Sequence, residues 1–277
     1  MDRRTFLRRA GLSSAGIAAV AAPVGTFALG EHLGSSHLDG NFAATVKAGM
    51  TRGGVGVWWS VDTDGTKVLA LTFDDGPTKQ FTGEVLDILE RYEVPATFFL
   101  IGEQVKRLPD LVRRMIADGH EVANHTFDHF SAVIESPADV RATIERGADA
   151  VAELSGDRPR WFRPVKGHVT GTVLTAAAEL GHDLALWSVS RDPGNDTAVD
   201  DMPGVRANYI EAVHEGAVVI FHDGIGRSAF EFTGPDDELV LARRTEIDAL
   251  PEVLERYLED GYRMVSMTEL IDTYGQR

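Results

Sequence analysis

The stretch VLALTFDDGP, residues 68–77, determines how the rest of this sequence is interpreted. Its first six residues, 68–73, are apolar apart from one threonine and predict a buried β-strand. Two carboxylates, Asp74 and Asp75, follow directly, and a Gly-Pro pair then predicts a turn. Because adjacent carboxylates repel each other, one of them needs a compensating cation. A metal ion bound by one would leave the other free to act as a base; a solvated turn is the alternative, since Asp-Gly and Gly-Pro are common turn dipeptides.

Outward from this stretch, apolar segments of strand length alternate with amphipathic segments of helix length. The predicted strands are residues 68–73, 95–101, 121–124, 161–163, 184–189, 217–221 and 262–265. The predicted helices are residues 82–92, 110–118, 138–154, 171–180, 205–215, 243–260 and 268–274. Such alternation implies parallel strands joined by helical crossovers. About seven units fit a (β/α) barrel better than an open sheet, so we predict an α/β barrel domain over residues 66–275.

Polar residues stand where the predicted strands end. These residues are Asp74, Asp75, His125, Arg163, Asp192 and His222. In a parallel barrel the carboxyl ends of the strands open on one face. We therefore expect these side chains to share one pocket although they are far apart in the sequence.

A pair of histidines four residues apart, His125 and His129, is spaced to bind one metal ion. With one added carboxylate the pair makes a set of two nitrogens and one oxygen, which leaves positions open for water and substrate as catalytic zinc requires. The chain has nine histidines and no cysteine, so oxygen and nitrogen are its metal donors. Helix-capping and surface histidines are the alternative interpretation.

Two further residues suggest supporting roles in such a pocket. Arg163 could pair with a carboxylate and hold it ionised, or form a purely structural salt bridge. His222 ends a strongly apolar strand and is suited to donate a proton if its pKa is near neutrality. A core histidine is the alternative for His222.

The composition excludes several classes of protein. The 277 residues are 43% hydrophobic and 25% charged, which is ordinary for a soluble globular chain, and the lack of cysteine excludes a disulfide framework. The 27 Lys and Arg against 43 Asp and Glu give a net charge of −16, which repels polyphosphates. We therefore expect no nucleic-acid partner, and we expect a monomer.

The N-terminal segment, residues 1–30, differs from the rest of the chain. Arg3 and Arg4 precede Thr-Phe-Leu, and residues 10–30 contain no charged side chain. This pattern predicts an export signal of the twin-arginine type, and hence a secreted or cell-envelope protein. An uncleaved membrane anchor is the alternative. Residues 31–65 are rich in Gly, Ser and polar residues and predict a linker or N-terminal extension.

Five short motifs together resemble those of a known family. They are TFDDG at 72–76, HTFDH at 125–129, Arg-Pro at 163–164, Asp192, and Ile-Phe-His at 220–222. In this order they resemble the motifs of the NodB-type polysaccharide deacetylases, carbohydrate esterase family 4. The resemblance covers roughly residues 67–274 and implies a distorted (β/α) barrel.

The resemblance also implies a different catalytic role for each residue of the pocket. Asp75, His125 and His129 would bind a divalent metal ion, zinc in the first place and cobalt as the alternative. Asp74 would take a proton from the attacking water, and His222 would protonate the departing amine.

Supporting roles follow from the same resemblance. Arg163 would orient Asp74, and the backbone N–H of Lys166 would help to stabilise the oxyanion. Asp192, with Asp196 in reserve, would support His222 or Arg163. Two departures stand out: Val165 and Lys166 replace the usual Pro and Tyr of the third motif, and the fourth motif is one residue shorter than usual.

These observations predict a secreted, metal-dependent hydrolase of carbon–nitrogen bonds other than peptide bonds. Its substrate would be an N-acetylated glycan such as a chitooligosaccharide or peptidoglycan. Acetylxylan, which carries O-acetyl groups, is a variant within the same chemistry. A catalytically silent glycan-binding module and a cytoplasmic amide or imide hydrolase are the alternatives from other classes.

Overall fold

The structure, a computed structural model, describes residues 54–129, 135–192, 194, 197–226 and 238–275. The predicted export signal, residues 31–53 of the predicted linker or extension, and Asp196 lie outside these ranges. Among the described residues, no helix is both long enough and apolar enough to span a bilayer.

Eight strands within the described residues form one sheet. They are β1 (Val57–Trp58), β2 (Val68–Asp74), β3 (Thr97–Leu100), β4 (Glu121–Asn124), β5 (Trp161–Phe162), β6 (Asp183–Ala185), β7 (Val218–His222) and β8 (Arg263–Val265). Their order is β1-β6-β5-β4-β3-β2-β7, with β8 paired to β2, and every pairing is parallel. The seven predicted strands are all present, because each is a short apolar segment that the sheet buries.

The sheet curls until its two ends meet. The chain just after β6 pairs with β7, where the N–H of Ser188 donates to the carbonyl of Val218 at 2.9 Å. The chain just after β1 also reaches β7, where the N–H of Val218 donates to the carbonyl of Trp59 at 3.3 Å. The predicted distorted (β/α) barrel is therefore confirmed.

Helices cover the outside of this barrel. They are α1 (Thr82–Tyr92), α2 (Gly102–Arg107), α3 (Pro109–Ala117), α4 (Pro137–Ser155), α5 (Gly171–Leu180), α6 (Met202–Ala212), α7 (Glu238–Glu259) and α8 (Met267–Tyr274). Aromatic rings pack between neighbouring elements: Phe73 of β2 stacks on Phe98 of β3 with ring centroids 5.1 Å apart, and Phe221 of β7 stacks on Tyr209 of α6 at 4.0 Å. The short helix α2 is absent from the sequence prediction.

Part of the predicted linker or extension is a strand of the barrel. In β1, Val57 pairs with Leu184 and Trp58 pairs with Ala185. The next residue, Trp59, is only 1% exposed. A strand of two residues is too short for a periodic pattern to reveal it in a Gly-rich segment.

The closure between the β1 segment and β7 restricts one glycine. Gly216 has φ +72°, and a Cβ atom placed there would lie 1.9 Å from the carbonyl oxygen of Val61. That oxygen belongs to backbone, which cannot turn aside as a flexible side chain would. Gly181 has a similar φ of +77° but open space around its Cβ position.

We expect Gly216→Ala to destabilise the protein more than Gly181→Ala. Both substitutions incur the left-handed backbone strain of about 1–2 kcal/mol, and only Gly216→Ala adds a clash that costs roughly a further 1–3 kcal/mol. Urea unfolding of the two variants measures the difference. Equal losses of stability would show that the chain after β1 does not press on β7 as described.

Candidate active site

The two adjacent carboxylates lie at the carboxyl end of β2 and approach the same imidazole. In a regular strand, neighbouring side chains point to opposite faces of the sheet. Asp75 has φ +74°, in the left-handed region, and this ends the alternation. As a result, His125 Nε2 lies 3.4 Å from Asp75 Oδ1 and 3.8 Å from Asp74 Oδ2. All three side chains are buried.

A cluster of three potential metal ligands forms around Asp75. Its Oδ1 atom also lies 3.1 Å from His129 Nε2, and one donor atom each of Asp75, His125 and His129 lies within 4.8 Å of the other two. The other ring nitrogen of His125, Nδ1, lies 2.7 Å from the carbonyl oxygen of Arg163. A carbonyl only accepts hydrogen bonds, so Nδ1 carries the hydrogen and Nε2 presents its lone pair to the cluster, as in metal-ligating histidines. The three residues therefore fit a metal ion.

The charge state of Asp75 also suits a ligand. Burial alone would raise the pKa of Asp75, but the hydrogen bonds to His125 and His129 outweigh burial and hold the pKa of this carboxyl well below its usual range. Burial would lower the pKa of His125, whereas the charges of Asp74 and Asp75 raise it. The carboxylate is thus ionised at neutral pH.

Arg163 follows β5 and is completely buried against Asp74. Its Nη1 atom donates to Asp74 Oδ1 at 2.5 Å and to Thr72 Oγ1 at 3.0 Å. Its Nε and Nη2 atoms donate to the carbonyl oxygens of Ala185 and Leu186 at 2.9 and 3.0 Å. The guanidinium is therefore fixed from several sides, and it holds one oxygen of Asp74 while the other faces His125.

His222 ends β7 directly beside Asp74, its partner in the register of β2 and β7. Its Nδ1 atom lies 3.2 Å and 3.3 Å from the two carboxylate oxygens of Glu246, a fully buried residue of α7. The structure thus brings Asp74, Asp75, His125, Arg163 and His222 together at one end of the barrel.

For two further residues predicted from the sequence, Asp192 and Lys166, the structure gives the local surroundings only. Asp192 Oδ1 accepts a hydrogen bond from the backbone N–H of Thr197 at 3.1 Å. The carboxylate that the structure places at Nδ1 of His222 is Glu246, and the one at Arg163 is Asp74. Lys166 lies in a 3-10 turn with φ +56°, and its side chain is exposed.

The sequence prediction misses three buried residues of the site. Arg243, on α7, donates from Nη1 to Glu246 Oε2 at 3.0 Å, and its Nη2 atom lies 3.5 Å from Asp75 Oδ2. Asp223, next to His222, accepts a hydrogen bond from Thr82 Oγ1 at 2.5 Å. Burial, partly offset by that hydrogen bond, raises the pKa of Asp223 to about 7.

The sequence patterns around these three residues are common ones that do not point to a functional site. Arg243 and Glu246 are three positions apart, as in many surface ion pairs of helices. Asp223 precedes a glycine, which predicts an ordinary turn.

Comparison with known proteins agrees with this geometry. The family model described as polysaccharide deacetylase matches residues 62–185. A peptidoglycan-N-acetylglucosamine deacetylase of Bacillus cereus is 34% identical over 215 residues, which are 78% of this chain and 92% of that protein. A chitooligosaccharide deacetylase of Bradyrhizobium is 40% identical over 164 residues, which are 59% of this chain and 74% of that protein.

A solved structure extends the comparison to the fold. The Bc1960 peptidoglycan N-acetylglucosamine deacetylase superposes with a TM-score of 0.67 at 27% sequence identity, over 80% of this chain and 95% of that one. The barrel, its buried aspartate and histidine cluster and these similarities lead to one conclusion: the chain belongs to the polysaccharide deacetylase family of hydrolases.

Proposed function

We propose that this chain is an exported, metal-dependent deacetylase that acts as a monomer and removes N-acetyl groups from a glycan containing N-acetylglucosamine. The observation that carries this proposal is the cluster of Asp75, His125 and His129 beside the buried pair of Arg163 and Asp74. The relatives named for action on peptidoglycan N-acetylglucosamine and on chitooligosaccharides support the substrate class.

The cluster would hold zinc, with cobalt as the alternative. Two imidazole nitrogens and one carboxylate oxygen are a donor set typical of catalytic zinc. When bound, such an ion supplies Lewis-acid polarisation of a carbonyl group and lowers the pKa of a nearby water.

The protein's own groups would then carry out the proton transfers. Asp74 Oδ2, left free while Arg163 holds Oδ1, takes a proton from water as the water oxygen bonds to the acetamide carbonyl carbon. The carbon–nitrogen bond then breaks with its electron pair going to nitrogen, and this nitrogen takes a proton from His222. Acetate and a free amine are the products. The backbone N–H of Lys166 would donate a hydrogen bond to the oxyanion.

We further propose that the protein acts outside the cytoplasm. An enzyme exported by the twin-arginine signal at residues 1–30 would reach glycans outside the cytoplasm, and this route carries proteins that are already folded. A deacetylase of glycans that lie outside the cytoplasm needs an export route, and the twin-arginine signal would supply it.

We expect Asp74→Asn to abolish turnover and leave metal binding intact. Asn cannot accept the proton from water, so kcat should fall at least about 100-fold. Asp74 is outside the three-ligand cluster, so the metal content should stay at about one ion per molecule. Acetate release from chitooligosaccharides, peptidoglycan fragments and acetylated xylan, together with metal analysis, measures both effects.

The matched control for this experiment is Asp110→Asn, which changes an exposed aspartate paired with Arg113. It should leave acetate release unchanged. A wild-type protein that binds these glycans but releases acetate from none of them would instead be a silent glycan-binding module.

We expect His129→Ala to remove the metal from the protein. Without one of the two imidazoles, the bound zinc should fall well below one ion per molecule, and the rise of Tm on adding zinc should disappear. His214→Ala, which changes a histidine bonded to Ser188 outside the cluster, is the control. Equal zinc content in the two variants would refute the assignment of His129.

We expect replacement of Arg3 and Arg4 by Lys to stop export, although the positive charge is preserved. The matched control replaces Arg8 and Arg9 by Lys in the same segment. Acetate-releasing activity in the exported and cytoplasmic fractions measures the outcome. Equal export of both double variants would argue against a twin-arginine signal.

A further inference from the structure

We propose that Glu246 is the positioning residue for His222; the resemblance to the family implies that Asp192 would support either His222 or Arg163. This inference rests on the proposed function, because it concerns the proton that His222 gives to the departing amine. It assigns to α7, which carries no motif of the family, a direct influence on the reaction.

The contact between the two side chains fixes the imidazole ring. Both carboxylate oxygens of Glu246 lie within 3.3 Å of His222 Nδ1. A carboxylate only accepts hydrogen bonds, so Nδ1 carries the hydrogen, and Nε2 is the nitrogen left to exchange a proton with substrate. The His222 side chain is 21% exposed, whereas that of Glu246 is completely buried. The imidazole therefore faces the open side of the site and the carboxylate holds it from behind.

Glu246 is itself held in place before any substrate arrives. Arg243 Nη1 donates to its Oε2 atom at 3.0 Å, and the hydroxyl of Tyr209 shares its one hydrogen between the Oε1 atom of Glu246 at 3.1 Å and the carbonyl oxygen of Ile220 at 2.8 Å. Burial would raise the pKa of Glu246, but the charges of His222 and Arg243 outweigh burial and lower the pKa. A completely buried carboxylate persists only when it is paired and hydrogen-bonded in this way.

The same arginine links Glu246 to the ligand cluster. Arg243 Nη2 lies 3.5 Å from Asp75 Oδ2, while Asp75 Oδ1 faces His125 and His129. One guanidinium therefore spans from the carboxylate behind His222 to the carboxylate of the cluster.

The chemistry of the leaving group separates this role from a purely structural one. An amine leaves an amide only with a proton, whereas an aryloxide leaves an aryl ester without one. A residue that acts through His222 should therefore matter much more for an N-acetyl glycan than for 4-nitrophenyl acetate. A residue that merely stabilises the fold should affect both substrates alike.

The test is Glu246→Gln, which keeps the size of the side chain and removes its charge. We expect kcat on an N-acetylated chitooligosaccharide to fall at least about 30-fold more than kcat on 4-nitrophenyl acetate, with both enzymes holding the same amount of metal. In a His222→Ala background, the same substitution should lower amide hydrolysis by less than about threefold, because its target is gone. Glu252→Gln, an exposed glutamate of the same helix paired with Arg206, is the control and should change neither substrate.

Tyr209→Phe provides a second variant if Glu246→Gln does not fold. It keeps the ring stacked on Phe221 and removes the hydroxyl that contacts both Glu246 and the carbonyl oxygen of Ile220. We expect an amide-selective loss of about threefold to tenfold.

Three outcomes would overturn the inference. They are equal losses on the two substrates in Glu246→Gln, equal losses in Tyr209→Phe, or an undiminished loss in the His222→Ala background. A wild-type enzyme that cleaves the aryl ester but no N-acetyl glycan would overturn the proposed function, and the role of Glu246 with it. The two failures are therefore distinguishable.

Discussion

The buried ion pair of Arg163 and Asp74 is the interaction on which the rest of the site depends. A charged group in a protein interior costs several kcal/mol unless a partner and hydrogen bonds compensate it. Arg163 meets this requirement with the carboxylate at the end of β2 and with the carbonyl oxygens of Ala185 and Leu186 at the end of β6. It therefore ties together strand ends from opposite sides of the barrel. The contact that orients the proposed base also stabilises the closed barrel.

Most of this arrangement could be predicted from the sequence because short stretches of neighbouring residues specify where each strand ends. An apolar segment followed at once by a polar residue marks the end of a buried strand, and the barrel brings all such ends together. This pattern predicts Asp74, His125 and His222 as site residues, and β2 and β7 place Asp74 and His222 side by side in register. The same pattern predicts Arg163 at the end of β5. Family motifs added roles to these residues but were not needed to place them.

The remaining parts of the site depend on how elements pack, which local patterns do not encode. Arg243 and Glu246 reach the site because α7 turns that face toward the strand ends, and no spacing within the helix specifies this rotation. Asp192 also makes a local contact. A short carboxylate bonds easily to a backbone N–H a few residues further on, and Asp192 does so with Thr197. The role in the site that the sequence suggests for Asp192 stays a prediction.

The groups around Asp75 leave one of its oxygens directed at the two histidines. Three carboxylates, those of Asp74, Asp75 and Glu246, lie close together, and three guanidiniums, those of Arg163, Arg191 and Arg243, lie within 4.0 Å of them. Arg163 contacts Asp74 Oδ1 and Arg243 approaches Asp75 Oδ2, whereas Asp75 Oδ1 faces the imidazoles of His125 and His129. A carboxylate oxygen between imidazole lone pairs attracts a cation, so a positive ion fits the point where the nitrogen and oxygen donors converge.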